Sequence, residues 1–437
     1  MNNSELMMKW LGESPCNFFA VKTVTDELDK AGFRRLSAAD RWDLRPGGAY
    51  YMVKNDTAVF PFILGRGAVS EHGFRIISSH SDSPCFKLKP NAEIYNDGGT
   101  VSLNVEKYGG AIMYTWFDRP LSMAGRVMLR TDNPLRPETR LVDFRKPVCT
   151  IPHLAIHFNR QVNDGNPLSV QKDMKPVLGR FSNEEIEAYR KRGGIIRSLL
   201  ADKLGIDAED ILDWELALYP VEEPRVVSVC GDLFQSGRID DLSMAFASLQ
   251  TMLSIARDEN APMHTCVMAL FDNEETGSGT KQGAASPVLT NLMKRIAETE
   301  GTPAESFARA VENSFMISAD NAHAWHPNYN EKYDPTNHPQ VGGGPVVKIN
   351  ANCKYMTDSV GAAIFRALCE KAGVECQYFV NHGDVAGGST LGNILTSQID
   401  LRGVDMGCAI WAMHSAAETA SLKDFEDTVK VFECFMR

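Results

Sequence analysis

The 437-residue sequence has no apolar run of the roughly 18 to 20 residues that a membrane helix needs. None of its ten cysteines forms a CxxC pair, which indicates reduced thiols in a cytoplasmic protein rather than a disulfide framework. The first residues contain no basic segment followed by an apolar one, so we expect no secretory signal. Basic residues are outnumbered: the net charge of −11 argues against a nucleic-acid partner, because phosphate binding needs a basic surface.

Two kinds of sequence pattern alternate along the chain. Residues 86–180 show short apolar and polar alternation between turn signals, which predicts antiparallel strands. Ser182 and Glu185 have the spacing of a capping box and predict a helix that reaches about Leu204. The remainder predicts helices at 4–12, 17–31, 242–253, 286–299, 358–372 and from 421, and strands at 74–79, 265–271, 314–319, 376–380 and 406–413.

Strands that alternate with helices are typical of an α/β fold with a parallel or mixed sheet. We therefore predict a mixed-sheet catalytic domain, covered by helices on both faces and formed by residues 1–88 and 226–437. A β-rich domain over residues 89–225 interrupts it. The length of the chain is sufficient for two domains.

Residue types that bind metals follow four of the predicted strands. They are His80, the pair Glu274-Glu275, Asp320 and His414, while Asp240 lies at a helix start. Open α/β sheets place their sites outside the carboxyl ends of strands, so these side chains are expected to converge. Two histidines and three carboxylates suit two borderline divalent cations.

Two further carboxylates have their own expected roles. Asp82 lies two residues after His80, so in an extended chain it can accept the free ring N–H of a metal-bound imidazole. Adjacent residues of an extended segment point opposite ways, which would leave one carboxylate of the Glu274-Glu275 pair free as a general base while the other binds a metal. Surface exposure is the alternative for this glutamate pair, and helix capping is the alternative for the aspartates at 240 and 241.

Seven motifs, in their order along the chain, resemble the aspartyl aminopeptidase family of tetrahedral two-zinc aminopeptidases. They span nearly the whole sequence: Ser79-His80-Ser81-Asp82-Ser83-Pro84-Cys85, Thr115-Trp116-Phe117-Asp118-Arg119-Pro120-Leu121, Ile151-Pro152-His153-Leu154-Ala155-Ile156-His157, Asp272-Asn273-Glu274-Glu275-Thr276-Gly277-Ser278, Ser318-Ala319-Asp320-Asn321-Ala322-His323-Ala324, His326-Pro327-Asn328-Tyr329 and Met413-His414-Ser415.

The resemblance implies a set of metal ligands. Asp240 would bridge two divalent cations, zinc first and cobalt or manganese as alternatives. His80 and Asp320 would bind one cation, and Glu275 and His414 would bind the other.

The resemblance also implies the residues that handle the substrate. Glu274 matches the catalytic base, and His323, Lys348 and Tyr355 match positions that line the substrate pocket. His157 matches a histidine that reaches into a neighbouring subunit's active site. A plain alternative for His157 is an alternating strand through residues 153–157 that leaves it half-buried.

The expected assembly and substrates follow from the same resemblance. The inserted domain is similar to the family's dimerisation domain, and the family forms a tetrahedral dodecamer that acts on peptides. Some members prefer acidic N-terminal residues and others neutral apolar ones. Asp241 and Asn321 depart from the eukaryotic pattern, which leaves the preferred residue open.

Two other functions are compatible with these residues. One is a related metal-dependent amide hydrolase, such as a deacylase or a carboxypeptidase-like enzyme. The other is a non-catalytic shell or cargo-binding protein that keeps the fold. The intact Glu274 and the full ligand set favour a working aminopeptidase over the shell protein.

Overall fold

The computed structural model describes residues 2–299 and 304–437. The chain forms two compact units. The first unit comprises Met1–Asp82, Pro224–Met413 and Glu418–Arg437, and the second comprises Ser83–Glu223 and His414–Ala417.

The strands are named in chain order. They are β1 (Arg34–Leu36), β2 (Ala49–Lys54), β3 (Ala58–Ile63), β4 (Phe74–His80), β5 (Cys85–Tyr95), β6 (Thr100–Tyr108), β7 (Leu121–Leu129), β8 (Glu138–Asp143), β9 (Val177–Arg180), β10 (Ile211–Pro220), β11 (Arg225–Val226), β12 (Leu233–Ser236), β13 (Thr265–Phe271), β14 (Phe315–Ala319), β15 (Ala322–His323), β16 (Val346–Lys348), β17 (Gln377–Phe379), β18 (Arg402–Gly407), β19 (Ala409–Ile410) and β20 (Glu418–Ser421).

The α-helices are numbered in the same way. They are α1 (Asn3–Glu13), α2 (Asn17–Lys30), α3 (Val69–His72), α4 (Val170–Asp173), α5 (Asn183–Lys191), α6 (Ile195–Leu204), α7 (Ile239–Ala256), α8 (Val288–Thr299), α9 (Ala304–Glu312), α10 (Ser359–Ala372), α11 (Leu391–Thr396) and α12 (Leu422–Met436). Short 3₁₀ turns lie at Asp97–Gly99, Met113–Trp116, Ala208–Asp210, Glu274–Thr276 and Asn330–Lys332.

A nine-stranded mixed sheet forms the core of the first unit. Its strand order is β1-β2-β3-β13-β4-β14-β18-β16-β17. The central strands β13, β4, β14 and β18 are parallel, whereas β3 and β16 run antiparallel to their neighbours in this group. The carboxyl ends of the four parallel strands therefore lie at one edge of the sheet, where a site is expected.

Helices cover both faces of this sheet. One face packs against α1, α2, α7, α10 and α12, and the other packs against α8, α9 and α11. A strand that is buried on both faces has a continuous apolar sequence, as in β13. Its side chains alternate between the two cores, with Cys266, Met268 and Leu270 in the first and Val267, Ala269 and Phe271 in the second. The predicted α/β class with a mixed, doubly covered sheet is confirmed.

The second unit contains a six-stranded sheet with the order β8-β7-β10-β5-β6-β9. All of its strand pairs are antiparallel, as the alternation in this region predicts. Helix α6 packs Ile196 and Leu200 into the core of this unit.

Two local predictions, and the strand alternative for His157, are wrong in detail. The single helix predicted to reach Leu204 is two helices, because Gly193 and Gly194 have φ of +85° and +109°, which no helix accommodates. The strand predicted at 406–413 begins at Arg402 and ends at Gly407, before the short β19. No strand passes through 153–157, where the described chain instead turns and Phe158 N donates to the Ala155 carbonyl.

Candidate metal centre

Neighbouring strands bring the predicted ligands of the first unit together. His80 is the last residue of β4 and pairs with Phe271 at the end of β13. Asp320 follows directly after β14, which is the neighbour of β4 on its other side. The imidazole Nε2 of His80 lies 3.8 Å from Asp240 Oδ1 and 3.9 Å from Asp320 Oδ1. All three side chains are buried, so their polar atoms face one another away from water.

Within the first unit, two groups of described side chains are close enough together to hold a metal ion. In the first, ligand atoms of His80, Asp240, Asp241 and Asp320 all lie within 4.8 Å of one another. In the second, the same criterion joins His80 with Glu274 and Glu275. Since His80 belongs to both groups, the two share one site at the carboxyl edge of the sheet.

Asp241 is a member of the site that the sequence reasoning did not place among the ligands. Asp240 and Asp241 both have non-helical φ and ψ at the start of α7, and a cis peptide bond joins them. Asp241 does not cap the helix: its carboxylate accepts hydrogen bonds from the backbone N–H of His80 at 3.2 Å and from Asn321 Nδ2 at 3.4 Å. The two positions that depart from the eukaryotic pattern, 241 and 321, thus contact each other.

The turn at Glu274–Thr276 orients the glutamate pair. This segment is a single 3₁₀ turn rather than the extended chain that we predicted. The carboxylate of Asp82 accepts hydrogen bonds from the backbone N–H groups of Glu274 and Glu275, each at 3.1 Å. Its Oδ1 also lies 3.5 Å from His80 Nδ1, which is 3.0 Å from the Asp82 carbonyl oxygen. Asp82 therefore links the histidine to the glutamate turn.

Several buried carboxylates lie close together in this site, and their negative charges shift the pKa values of the site residues. Burial, together with the neighbouring carboxylates, raises the pKa of Asp241 well above its usual range. Burial also raises the pKa of Glu274 to about 8, and the charges of Asp320, Glu275 and Asp240 act in the same direction. Although burial opposes protonation of His80, the surrounding carboxylates raise its pKa well above the ordinary value.

A divalent cation fits this donor set. Buried carboxylates repel one another and resist ionisation unless a positive charge compensates them. Imidazole nitrogen and carboxylate oxygen are zinc ligands, and a bound cation favours the deprotonated form of each carboxylate around it. The raised pKa values of Asp241 and Glu274 result from burial and from this repulsion between carboxylates.

Lys348 supplies positive charge from the protein itself. Its Nζ lies 3.4 Å from Asp320 Oδ2, and the ammonium is 5.8 Å from the ring centre of Tyr355. Lys348 and Tyr355 are buried, whereas His323 at the end of β15 is exposed and contacts the Phe379 ring edge-on. The resemblance placed Lys348 in the substrate pocket, but no sequence pattern indicates its ion pair with Asp320.

Two predicted site residues belong to the second unit. His414 has φ of 69° and lies in the segment His414–Ala417. His157 is exposed in a turn. Their functional roles stay predictions.

Comparison with known proteins identifies the family. The profile of the family described as Aminopeptidase I zinc metalloprotease (M18) matches residues 10–436. The chain belongs to the M18 family of zinc metalloproteases. It is 42% identical over 429 residues to a probable M18 family aminopeptidase 2 from Clostridium novyi, a match that covers 98% of this chain and 97% of the relative. The M18 relationship makes the chain a metallo-aminopeptidase, a hydrolase of peptide bonds.

Solved M18 structures share the fold. A structure described as the Ape4 and Nbr1 complex superposes with a TM-score of 0.94 at 33% identity and covers 99% of this chain and 85% of that one. The S. cerevesiae mApe1 dodecamer superposes with a TM-score of 0.86 at 27% identity, covering 99% and 95%. The described residues of the M18 chain contain no helix long and apolar enough to cross a membrane.

Proposed function

We propose that this M18 aminopeptidase removes single N-terminal residues from peptides, uses two divalent cations and prefers acidic N-terminal residues. Zinc is the first candidate for both cations, and cobalt and manganese are alternatives. The observation that supports a cation-dependent hydrolase most strongly is the buried group of His80, Asp240 and Asp320 beside the Glu274–Glu275 turn.

In this proposal Asp240 would contribute its carboxylate to both cations. His80 and Asp320 would hold one cation, and Glu275 and His414 would hold the other. When bound, the cations supply Lewis acidity, which lowers the pKa of water and polarises the scissile carbonyl. Asp82 orients both His80 and the turn that carries Glu275, through the contacts described above. Asp241 fixes the backbone at His80 through its 3.2 Å hydrogen bond.

Glu274 is the proposed general base. Its Oε2 lies 4.0 Å from His80 Nε2, so the carboxylate borders the ligand group. Glu274 would take a proton from the attacking water and return it to the leaving amine. The turn held by Asp82 keeps this carboxylate in position for both transfers.

Lys348, Tyr355 and His323 are proposed to contact the first residue of the substrate. Lys348 offers a buried positive charge, which suits the carboxylate of an Asp or Glu side chain. A neutral apolar side chain would leave that charge with Asp320 as its partner. In this proposal an acidic N-terminal side chain would share the Lys348 charge with Asp320.

A panel of aminoacyl anilides tests this function. Asp, Glu, Leu and Lys anilides are assayed with the zinc, cobalt and manganese forms, and each substrate has an N-acetyl counterpart. The proposal predicts the highest kcat/KM for the Asp or Glu anilide and no turnover of the N-acetyl compounds. Faster turnover of the Leu anilide would favour the neutral-residue alternative, and turnover of the N-acetyl compounds would favour a deacylase. No turnover of any compound with any metal would favour a non-catalytic shell protein.

We also propose that the second unit mediates a dimer-based assembly, a tetrahedral dodecamer, in the cytoplasm. Apolar side chains around His157 support a covered surface, because Leu154, Ile156 and Phe158 are 58%, 51% and 81% exposed. His157 would then enter a neighbouring subunit's site and donate to the oxyanion.

Subunit mixing tests the role of His157. His157→Ala alone should lower kcat by about 10²–10³-fold with unchanged metal content. Coexpression of His157→Ala with Glu274→Gln should restore part of the activity, since some sites combine an intact Glu274 with a neighbour's intact His157. A mixed assembly as inactive as either parent would contradict the shared site.

A further inference from the structure

A polar cavity lies at the edge of the nine-stranded sheet opposite the candidate metal centre. It has a volume of about 580 Å³ and lies within the first unit. Its charged and titratable lining is almost entirely basic: Arg75, Arg402, Arg437, His72 and His264, with Glu71 as the carboxylate. Arg75 is the second residue of β4, and Arg402 is the first residue of β18, so the cavity lies at the amino ends of the parallel strands. The cavity is therefore distinct from the candidate metal centre.

The register of the sheet places two arginine side chains on the face that borders this cavity. Phe315 of β14 pairs with Arg75 on one side and with Arg402 on the other. Residues in one cross-strand row point to the same face, and two strand spacings separate the Cα atoms of the arginines by roughly 10 Å. Phe315, whose Cα lies between those of the two arginines in the sheet, also lines the cavity.

Neither guanidinium has a carboxylate partner among the described residues. Arg75 Nη1 donates to the Asn313 carbonyl at 3.3 Å, and Arg402 Nη2 donates to the Glu312 carbonyl at 2.8 Å. These carbonyls carry only the partial charge of a helix end, and a guanidinium has five N–H donors. Arg437 differs, because its side chain pairs with Asp258 at 2.6 Å. Among the described residues, the half-buried Arg75 and the exposed Arg402 therefore have no carboxylate partner within ion-pair distance.

This positive charge lowers the pKa values of neighbouring basic groups. Burial lowers the pKa of His264 to about 4, and Arg75 and His72 lower it further through charge repulsion. Burial and the charge of Arg402 likewise lower the pKa of Arg75. On a chain with a net charge of −11, such a cluster is a local exception.

We propose that this cleft binds a small phosphorylated metabolite, with the phosphoryl group between Arg75 and Arg402. Planar guanidinium forks match phosphoryl oxygens in pairs, which makes arginine the preferred residue for this group. The volume falls within the range of small-ligand pockets, about 300–1,000 Å³. The half-buried Ile364 and Leu368 of α10 offer an apolar wall for the organic part of the ligand. The strongly negative chain disfavours a long polyanion such as RNA.

Calorimetric titration of the metal-loaded protein with phenyl phosphate, inorganic phosphate and benzoate tests the proposal. Ionic strength is held constant with sodium chloride. Phenyl phosphate should bind most tightly, inorganic phosphate less tightly, and benzoate least. Arg402→Gln and Arg75→Gln should each weaken phenyl phosphate binding by roughly tenfold to a hundredfold. Arg366→Gln is the matched control, because Arg366 is an exposed arginine of α10 that pairs with Glu370.

Each other outcome overturns the proposal. Equal affinities of the wild type and Arg402→Gln would place phosphate elsewhere, for example at the metal centre. No saturable binding by the wild type would mean that the arginines serve another purpose. Benzoate binding as tight as phenyl phosphate would refute the phosphoryl preference. Arg402 is exposed, so Arg402→Gln decides the question even where Arg75→Gln fails to fold.

Discussion

Lys348 Nζ lies 3.4 Å from Asp320 Oδ2, and the two residues are only 3% and 8% exposed. The lysine charge holds the pKa of Asp320 well below its usual range despite burial, and Asp320 together with the neighbouring acids raises the pKa of Lys348. A proposed substrate contact and a proposed metal ligand are thus joined directly. A substitution at Lys348 can therefore change the substrate preference, the metal affinity or both, and each of these can be measured separately.

Replacement of Lys348 by Met should change substrate preference more than metal binding. We expect kcat/KM for the Asp anilide to fall roughly tenfold to a hundredfold more than kcat/KM for the Leu anilide, because a charge-assisted contact is lost. Steady-state kinetics with both substrates measures the difference, and Lys354→Met at an exposed position is the control. Equal losses accompanied by a fall in zinc content would show that Lys348 serves Asp320 alone.

Glu274→Gln should retain the bound metal and lose most of kcat. Loss of a general base typically costs about 10²–10⁴-fold in rate. Metal analysis and kinetics on the same preparation provide the comparison, with the exposed Glu298→Gln as control. A parallel fall of metal content and activity would make Glu274 a ligand instead.

Asp82→Asn should weaken metal binding by about 10–100-fold, the usual effect of losing a partner of a ligand. An amide offers one acceptor oxygen, so it cannot receive both backbone N–H groups that now point to separate carboxylate oxygens. Zinc titration against a competing chelator measures the change, and Asp43→Asn is an exposed control. Unchanged zinc affinity and unchanged activity at limiting zinc would refute this role.

His264 should make the protein less stable in mild acid. Its pKa is about 4 in the folded chain and near 6.5 in the unfolded chain, so below pH 6.5 the unfolded chain binds more protons. The free energy of unfolding therefore falls as pH drops from 6.5 towards 4, by about 1 kcal/mol at pH 5 after discounting for the partly exposed ring. Urea midpoints at pH 7 and pH 5 should differ less in His264→Gln than in wild type. An equal difference would contradict the assignment.

Strands with a continuous apolar sequence and a polar end were predictable. The apolar runs before Asp272 and before Asp320 each predict a strand, and the structure has the buried β13 and β14 there. Such runs are informative because burial on both faces leaves few polar positions inside a strand. The edge of the sheet at which the site lies follows from the same reasoning.

Contacts between distant segments were not predictable from local patterns. The 3₁₀ turn at Glu274 depends on Asp82, which lies about 190 residues earlier in the chain. The hydrogen bond from Asn321 to Asp241 and the ion pair of Lys348 are also set by the fold rather than by spacing. The break between α5 and α6 did have a local signal, the adjacent glycines at 193 and 194.

Removal and return of the metal tests the central claim most directly. The protein is dialysed against a chelator, assayed with a free aminoacyl anilide, and then titrated with zinc while activity and bound zinc are recorded together. We predict that activity disappears on dialysis and returns with zinc, reaching its maximum at two ions per chain. Full activity in the metal-free protein, or no activity at any zinc content, would contradict the account.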